Sequence, residues 1–184
     1  MHHELQTENL VNSFAGVWKR VVTDPRGFFQ EMPVSGGLAR PLIFLAICLA
    51  VSGLGLLLLG WGWLALWFAV RGLLFSFVYA AVFMIVGRQI FAGVGDYEAT
   101  YRVVAYAAAP VALFWIPIVK HLAALYLLFL LIVGLERVHA FDAVKAVLTL
   151  LIAAFVIMVL AWVLGVHAGW TPLVAARTGA YGCV

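Results

Sequence analysis

Charge is what this chain has least of. Only 10% of its 184 residues are Asp, Glu, Lys or Arg, against 66% hydrophobic, and the mean hydropathy is +1.12. An ordinary soluble domain carries about a quarter charged residues, so that class is excluded. The formal net charge of +3 is small, and no nucleic-acid partner is expected. Cysteine is almost missing too. Cys48 lies inside an apolar run and Cys183 in the tail, which gives neither a disulfide framework nor metal-ligand spacing. The tail Tyr-Gly-Cys-Val is no prenylation box. Dyad alternation is absent, which argues against a transmembrane barrel. No charged leader followed by a short apolar core opens the chain, so no signal peptide is expected.

Catalytic signatures are lacking as well. There is no nucleophile elbow, zincin motif, phosphate loop or pair of intramembrane aspartates. His2, His3, His121, His139 and His167 are scattered. Glu136-x-x-His139 has the spacing found in di-iron carboxylate bundles, but such sites need two such pairs and further inward glutamates. No cofactor, no metal and no enzymatic activity are expected.

What is present is a series of long uncharged runs, each near the ~20 residues a membrane helix needs. The stretch Gly93–Lys145 organises them. It opens on an acidic turn (Asp96, Tyr97, Glu98), passes apolar sequence interrupted by Pro110 and Pro117, and turns at Lys120-His121. It closes on Glu136, Arg137, His139, Asp142 and Lys145. Charge at both ends and at the corner reads as a membrane hairpin.

The pattern predicts an all-α bundle of five spans, about 41–60, 64–91, 100–118, 121–139 and 144–166, behind an N-terminal amphipathic helix. In that helix Leu10, Phe14, Val17, Trp18 and Val21 share a face; it either packs on the bundle or lies among headgroups. Asp24 caps a second short helix with Pro25 at its first position. Ser35-Gly36-Gly37 is a flexible joint. Gly53, Gly55, and Ala46 with Ala50, offer flat contact surface, as do Ala105, Ala108, Ala109 and Ala112 on the third span. Trp61 and Trp63 form an interfacial belt. Arg71 is the one charge inside a span, and it either snorkels or faces a polar cavity. Pro110 and Pro117 predict a kink and a loosened end in the third span. Asp96 caps that helix, Glu98 and Arg102 pair at i, i+4, and Glu136 and Arg137 can pair with Arg102 or Asp142. The third and fourth crossings are short enough to be a re-entrant pair.

Placing the N-terminus inside puts Lys19, Arg20, Arg26, Arg40, Arg88, Arg102, Arg137 and Lys145 in the cytoplasm, leaving Lys120 and Arg177 outside. The positive-inside rule selects this orientation. The expected organisation is a cytoplasmic segment 1–38, a transmembrane domain 39–168 and an extracytoplasmic tail 169–184.

Motif order along the chain resembles the Yip (Ypt-interacting protein) family of five-span membrane proteins in its short prokaryotic form. The carrying residues are Trp18, Asp24-Pro25-Arg26-Gly27-Phe28-Phe29, Gly36-Gly37 and Pro41. They continue with Gly93-Val-Gly-Asp-Tyr97, Arg102-Val-Val-Ala-Tyr106, Pro110 and Ile116-Pro117, then Gly134-Leu-Glu-Arg-Val-His139 and Lys145-Ala146. The resemblance implies a cytoplasmic N-terminus and an outside C-terminus, as the charges do. Eukaryotic members are linked to vesicle traffic and Rab-class GTPases, but the long N-terminal extension of those members has no counterpart here.

The expected function is a non-enzymatic organiser or adaptor in a prokaryotic cytoplasmic membrane. It would hold anionic lipid headgroups or a protein partner at the cytoplasmic face. The candidate residues are Asp96, Tyr97, Arg102, Tyr106, Pro110, Pro117, Glu136, Arg137 and His139. The alternative is a solute or ion transporter with a cavity near Arg71 and the proline-broken third span.

Overall fold

The fold follows from four apolar helices and one that is shorter and more deeply buried than any of them. The computed structural model describes residues 10–163, and all regular structure among them is helical. The elements are α1 (Leu10–Thr23), α2 (Pro25–Glu31), α3 (Ala39–Leu58), α4 (Gly62–Phe91) and α5 (Tyr97–Ala107). A 3₁₀ turn (Ala109–Leu113), α6 (Val119–His139) and α7 (Ala143–Val163) follow. Four of these, α3, α4, α6 and α7, are long and apolar enough to cross a membrane. The residues from 169 on, expected as a tail, lie outside the described residues.

The third expected span differs from expectation. It is an 11-residue helix that stops before Ala108 and continues as a five-residue 3₁₀ turn carrying Pro110 near its start. Pro110 has no N–H to donate and disfavours helical geometry at the preceding residue. The break is therefore sharper than a kink. Every residue from Ala99 to Ala112 is buried, and α3, α4 and α6 pack around them. The small face of Ala105, Ala108, Ala109 and Ala112 permits that close approach. On α3 the expectation divides. Gly55 receives the Trp115 ring, but Ala46 and Ala50 are exposed.

The corner into α6 also shifts. Lys120 and His121 lie in the first turn of α6, so the reversal is made at Trp115–Ile118, where Pro117 and Ile118 are exposed. From there α6 runs back along α5. Its N-terminal half exposes Leu122, Leu125, Leu128 and Phe129, whereas Leu130, Leu131, Val133, Leu135 and Val138 are buried. Leucine content alone does not separate these halves.

Ahead of the spans, α1 and α2 form a helical hairpin seated on the bundle. Val17 and Val21 of α1 and Phe28 and Phe29 of α2 are buried, while Lys19, Thr23, Asp24 and Arg26 are exposed. The Asp24 carboxylate accepts from the Gly27 N–H at 3.1 Å, capping α2 with Pro25 at its start. Arg20 pairs with Glu31 at 2.8 Å across the two helices. The Trp18 indole N–H donates to the Ala109 carbonyl at 2.9 Å, and the Tyr126 hydroxyl donates to the Val22 carbonyl at 2.7 Å. The second bond satisfies one of the carbonyls a helix leaves open in its last turn.

Two helices end on alanine in the left-handed region, Ala92 and Ala140, each with φ 55°. Alanine is disfavoured there by ~1–2 kcal/mol, and glycine regains that at an entropic cost of ~0.4–1 kcal/mol. Ala140 is exposed, so Ala140→Gly should raise stability by about 0.5–1 kcal/mol. A thermal scan in detergent checks this, and a lower midpoint would mean that the side chain has a role the backbone does not reveal.

Candidate functional site

The polar residues of the sequence gather where α4 ends, α5 begins, α6 ends and the joint before α3 passes. Asp96 precedes α5 and its carboxylate accepts from the Ala99 N–H at 2.8 Å. A carboxylate one residue ahead of a helix is favoured there by the open N–H groups and the helix dipole. One turn further on, the Thr100 hydroxyl donates to the Asp96 carbonyl at 2.7 Å and meets His139 Nε2 at 3.1 Å. A hydroxyl has one proton, and the carbonyl takes it. His139 Nε2 must therefore be the donor to Thr100.

His139 is 1% exposed. Its ring stacks on Phe141, with centroids 5.1 Å apart and planes at 16°. Glycines make the rest of the cage. A Cβ at Gly93 would stand 2.6 Å from Nδ1, one at Gly95 2.8 Å from Cε1, and one at Gly87 3.1 Å from the ring. Any side chain at Gly93 or Gly95 would displace the imidazole. Nδ1 finds no hydrogen-bond partner among the described residues.

Beside this cage sits a clamp on the joint before α3. Arg102 is fully buried; its Nη2 donates to the Gly37 carbonyl at 2.9 Å and lies 3.3 Å from Glu98 Oε1. The same Glu98 oxygen accepts from the Gly37 N–H at 2.6 Å. One residue, Gly37, is thus gripped through its N–H and its carbonyl by an i, i+4 ion pair. Gly36 and Gly37 have φ 127° and 89°, a conformation open to glycine at little cost. The expected flexible joint is a held one.

Tyrosines line the neighbouring contacts. Tyr101 stacks on Phe77 at 4.8 Å and approaches the Ser76 hydroxyl at 3.4 Å, while the Tyr97 hydroxyl donates to the Phe77 carbonyl at 3.3 Å. Tyr106 is wedged between Phe28 and Phe44, both at 5.1 Å. Phe29 and Val103 close on Gly134.

The other nominated residues are elsewhere or differently engaged. Pro110 is buried in the 3₁₀ turn and Pro117 is exposed at the far corner. Arg71 lies over the Phe75 ring at 5.3 Å, twenty residues from Phe91 and so roughly 30 Å along α4 from the polar end. Arg102 pairs with Glu98. The Glu136 backbone carbonyl accepts from Phe141 N–H at the end of α6, and Arg137 is exposed. Among the described residues no three His, Cys, Asp or Glu side chains converge as a metal set.

The Yip1 domain family model matches residues 19–165. The chain belongs to the Yip1 domain family. No curated protein and no solved structure matches it. Within this Yip1 domain, motif pieces far apart in sequence are contact partners. Phe28 and Phe29 meet Tyr106 and Gly134, Gly36-Gly37 meets Arg102, and Gly93 and Gly95 meet His139. Sequence reasoning missed Thr100 and the grip of Glu98 on Gly37. The signal for Thr100 is present, one turn after the Asp96 cap, but nothing local points Glu98 at a residue 61 positions earlier.

Proposed function

We propose that this integral membrane protein is a non-enzymatic organiser whose polar end gathers anionic lipid headgroups at the cytoplasmic leaflet. The observation that supports it most is an imbalance in how the charges of that end are used. Asp96 is committed to a helix cap and Glu98 to the clamp. Arg88, Arg137 and Lys145 are exposed. The exposed field there holds three cations against two exposed acids, Asp96 and Asp142. Basic residues next to an anionic leaflet each contribute about 1 kcal/mol.

The same reading takes the chain as crossing the cytoplasmic membrane five times with the N-terminus inside. Support for the fifth crossing comes from contacts at both ends of α3. Arg102 meets Gly37 just before it, and Trp115 meets Gly55 near its end. Over Tyr97–Leu113, 11 residues of α-helix and five of 3₁₀ turn rise about 16 Å and about 10 Å. That sum approaches the ~30 Å apolar thickness of a bilayer.

The test is lipid retention. Purified chain should carry phosphatidylglycerol or cardiolipin in excess of its share in the source membrane. Arg88→Gln/Arg137→Gln/Lys145→Gln should lose most of that excess without changing the thermal midpoint. Retained anionic lipid unchanged in the triple variant would refute the reading.

A further inference from the structure

The α1–α2 hairpin does not sit at the end of the bundle. Three contacts measure its height from the polar end. The Val22 carbonyl is bonded to Tyr126, 13 residues back along α6 from His139, or about 20 Å. Trp18 is bonded at Ala109, 12 residues beyond Tyr97, or about 18 Å. Phe28 meets Tyr106, nine residues beyond Tyr97, or about 14 Å. The three agree, with Val22 highest. The tip Thr23–Arg26 therefore lies well over halfway up helices of the length that crosses a bilayer.

The outward face at that height is charged. Lys19, Asp24 and Arg26 are exposed. Glu31 is paired with Arg20, so the outward charges at the tip are two cations and the Asp24 carboxylate that caps α2, a net excess of positive charge. A charged side chain facing hydrocarbon at such depth is costly. Lys19 and Arg26 cannot snorkel from there to the polar end, because a side chain reaches only a fraction of that distance.

From this we propose that the outer face of the α1–α2 hairpin is a polar furrow that draws phospholipid headgroups into the membrane. Lys19 and Arg26 receive the phosphate, and the furrow speeds passage of phospholipids between leaflets. Charge complementarity selects the occupant. A phosphate-bearing headgroup brings the anion these cations need, and water follows it. A headgroup held near the tip has only about a third of a ~30 Å core left to cross. The proposal rests on the reading that α3, α4, α6 and α7 cross the membrane, and deepens it by naming phospholipid as the substrate.

The test uses the full chain in liposomes carrying a fluorophore-labelled phospholipid in both leaflets, with dithionite added outside. Without protein only the outer leaflet bleaches. With the chain present, bleaching should run through the inner leaflet as well. Lys19→Leu/Arg26→Leu should slow that second phase about tenfold, the low end of the gain a focused cationic site gives in local anion concentration. Equal helix content and a monodisperse profile show that the variant is folded.

Bleaching that stops at the outer leaflet with folded chain in the bilayer overturns the proposal. So does a folded double variant as fast as the parent, or cross-linking of Arg26→Cys to Arg26→Cys of a second copy in place of lipid passage. The failures separate. Loss of passage with anionic lipid still retained at Arg88, Arg137 and Lys145 sinks the furrow alone. Extraction of the chain from vesicles by alkaline carbonate sinks both readings.

Discussion

Replacing Arg102 with methionine should lower stability by about 2–3 kcal/mol and free the joint before α3. Methionine keeps most of the stem volume, so the change isolates the guanidinium. Its removal leaves the Gly37 carbonyl without the 2.9 Å donor and Glu98 with the Gly37 N–H but no counter-charge. Breaking a fully buried pair costs ~3–5 kcal/mol. The Glu98 side chain is 31% exposed, so water recovers part of that, which sets the lower figure.

Two measurements check it. The thermal midpoint in detergent should fall by several degrees, at roughly 2–4 °C per kcal/mol for a chain of this size. Limited digestion by a protease of broad specificity should open the Ser35–Gly37 segment much faster than in the parent. A variant with the parent's midpoint and the parent's digestion rate would show that the clamp holds nothing. Arg102→Met combined with Glu98→Gln should cost less than the two single changes added, because the residues share one interaction.

Where sequence and structure agree, the information is local. Asp24 caps its helix through a contact three residues away, and Asp96 does the same for α5. Spans α3, α4, α6 and α7 begin within two residues of where charge and proline end the apolar runs. The disagreements are all long-range. Arg102 reads as a helix-surface partner for a neighbouring acid, and the Glu98 pair is indeed formed. Arg102 is also completely buried, and its Nη2 holds the Gly37 carbonyl, 65 residues earlier along the chain. Ala46 and Ala50 have the spacing of a packing face but point outward, because Trp115 and the buried alanines of α5 supply the contacts on the other side of α3. Charge counting groups Lys19 and Arg26 with the inner ends of the spans. Burial of Val17, Val21, Phe28 and Phe29 docks the hairpin that carries them on α6 and the 3₁₀ turn.

The second large effect is expected at Gly134, where α6 crosses α5 and α2 closes from the side. A Cβ there would run into the Val103 side chain and stand 3.2 Å from Phe29 Cε1. Val103 and Phe29 are both fully buried, so neither can swing away. Forcing one methyl into such a packed site costs ~1–3 kcal/mol, and Gly134→Ala should fall in the upper half of that range. The helix itself would gain up to ~1 kcal/mol from alanine's better propensity, so any net loss reports steric contact rather than backbone preference. The decisive comparison is with Val103→Ala. On its own that change leaves a void and destabilises. Combined with Gly134→Ala it makes room for the new methyl, and the double variant should be more stable than Gly134→Ala alone. Strict additivity in that cycle would mean that Gly134 and Val103 do not touch, and the packing of α2, α5 and α6 would have to be redrawn. Rescue would locate a tight crossing of α5 and α6 five residues from His139, with Phe29 carrying it out to the base of the hairpin.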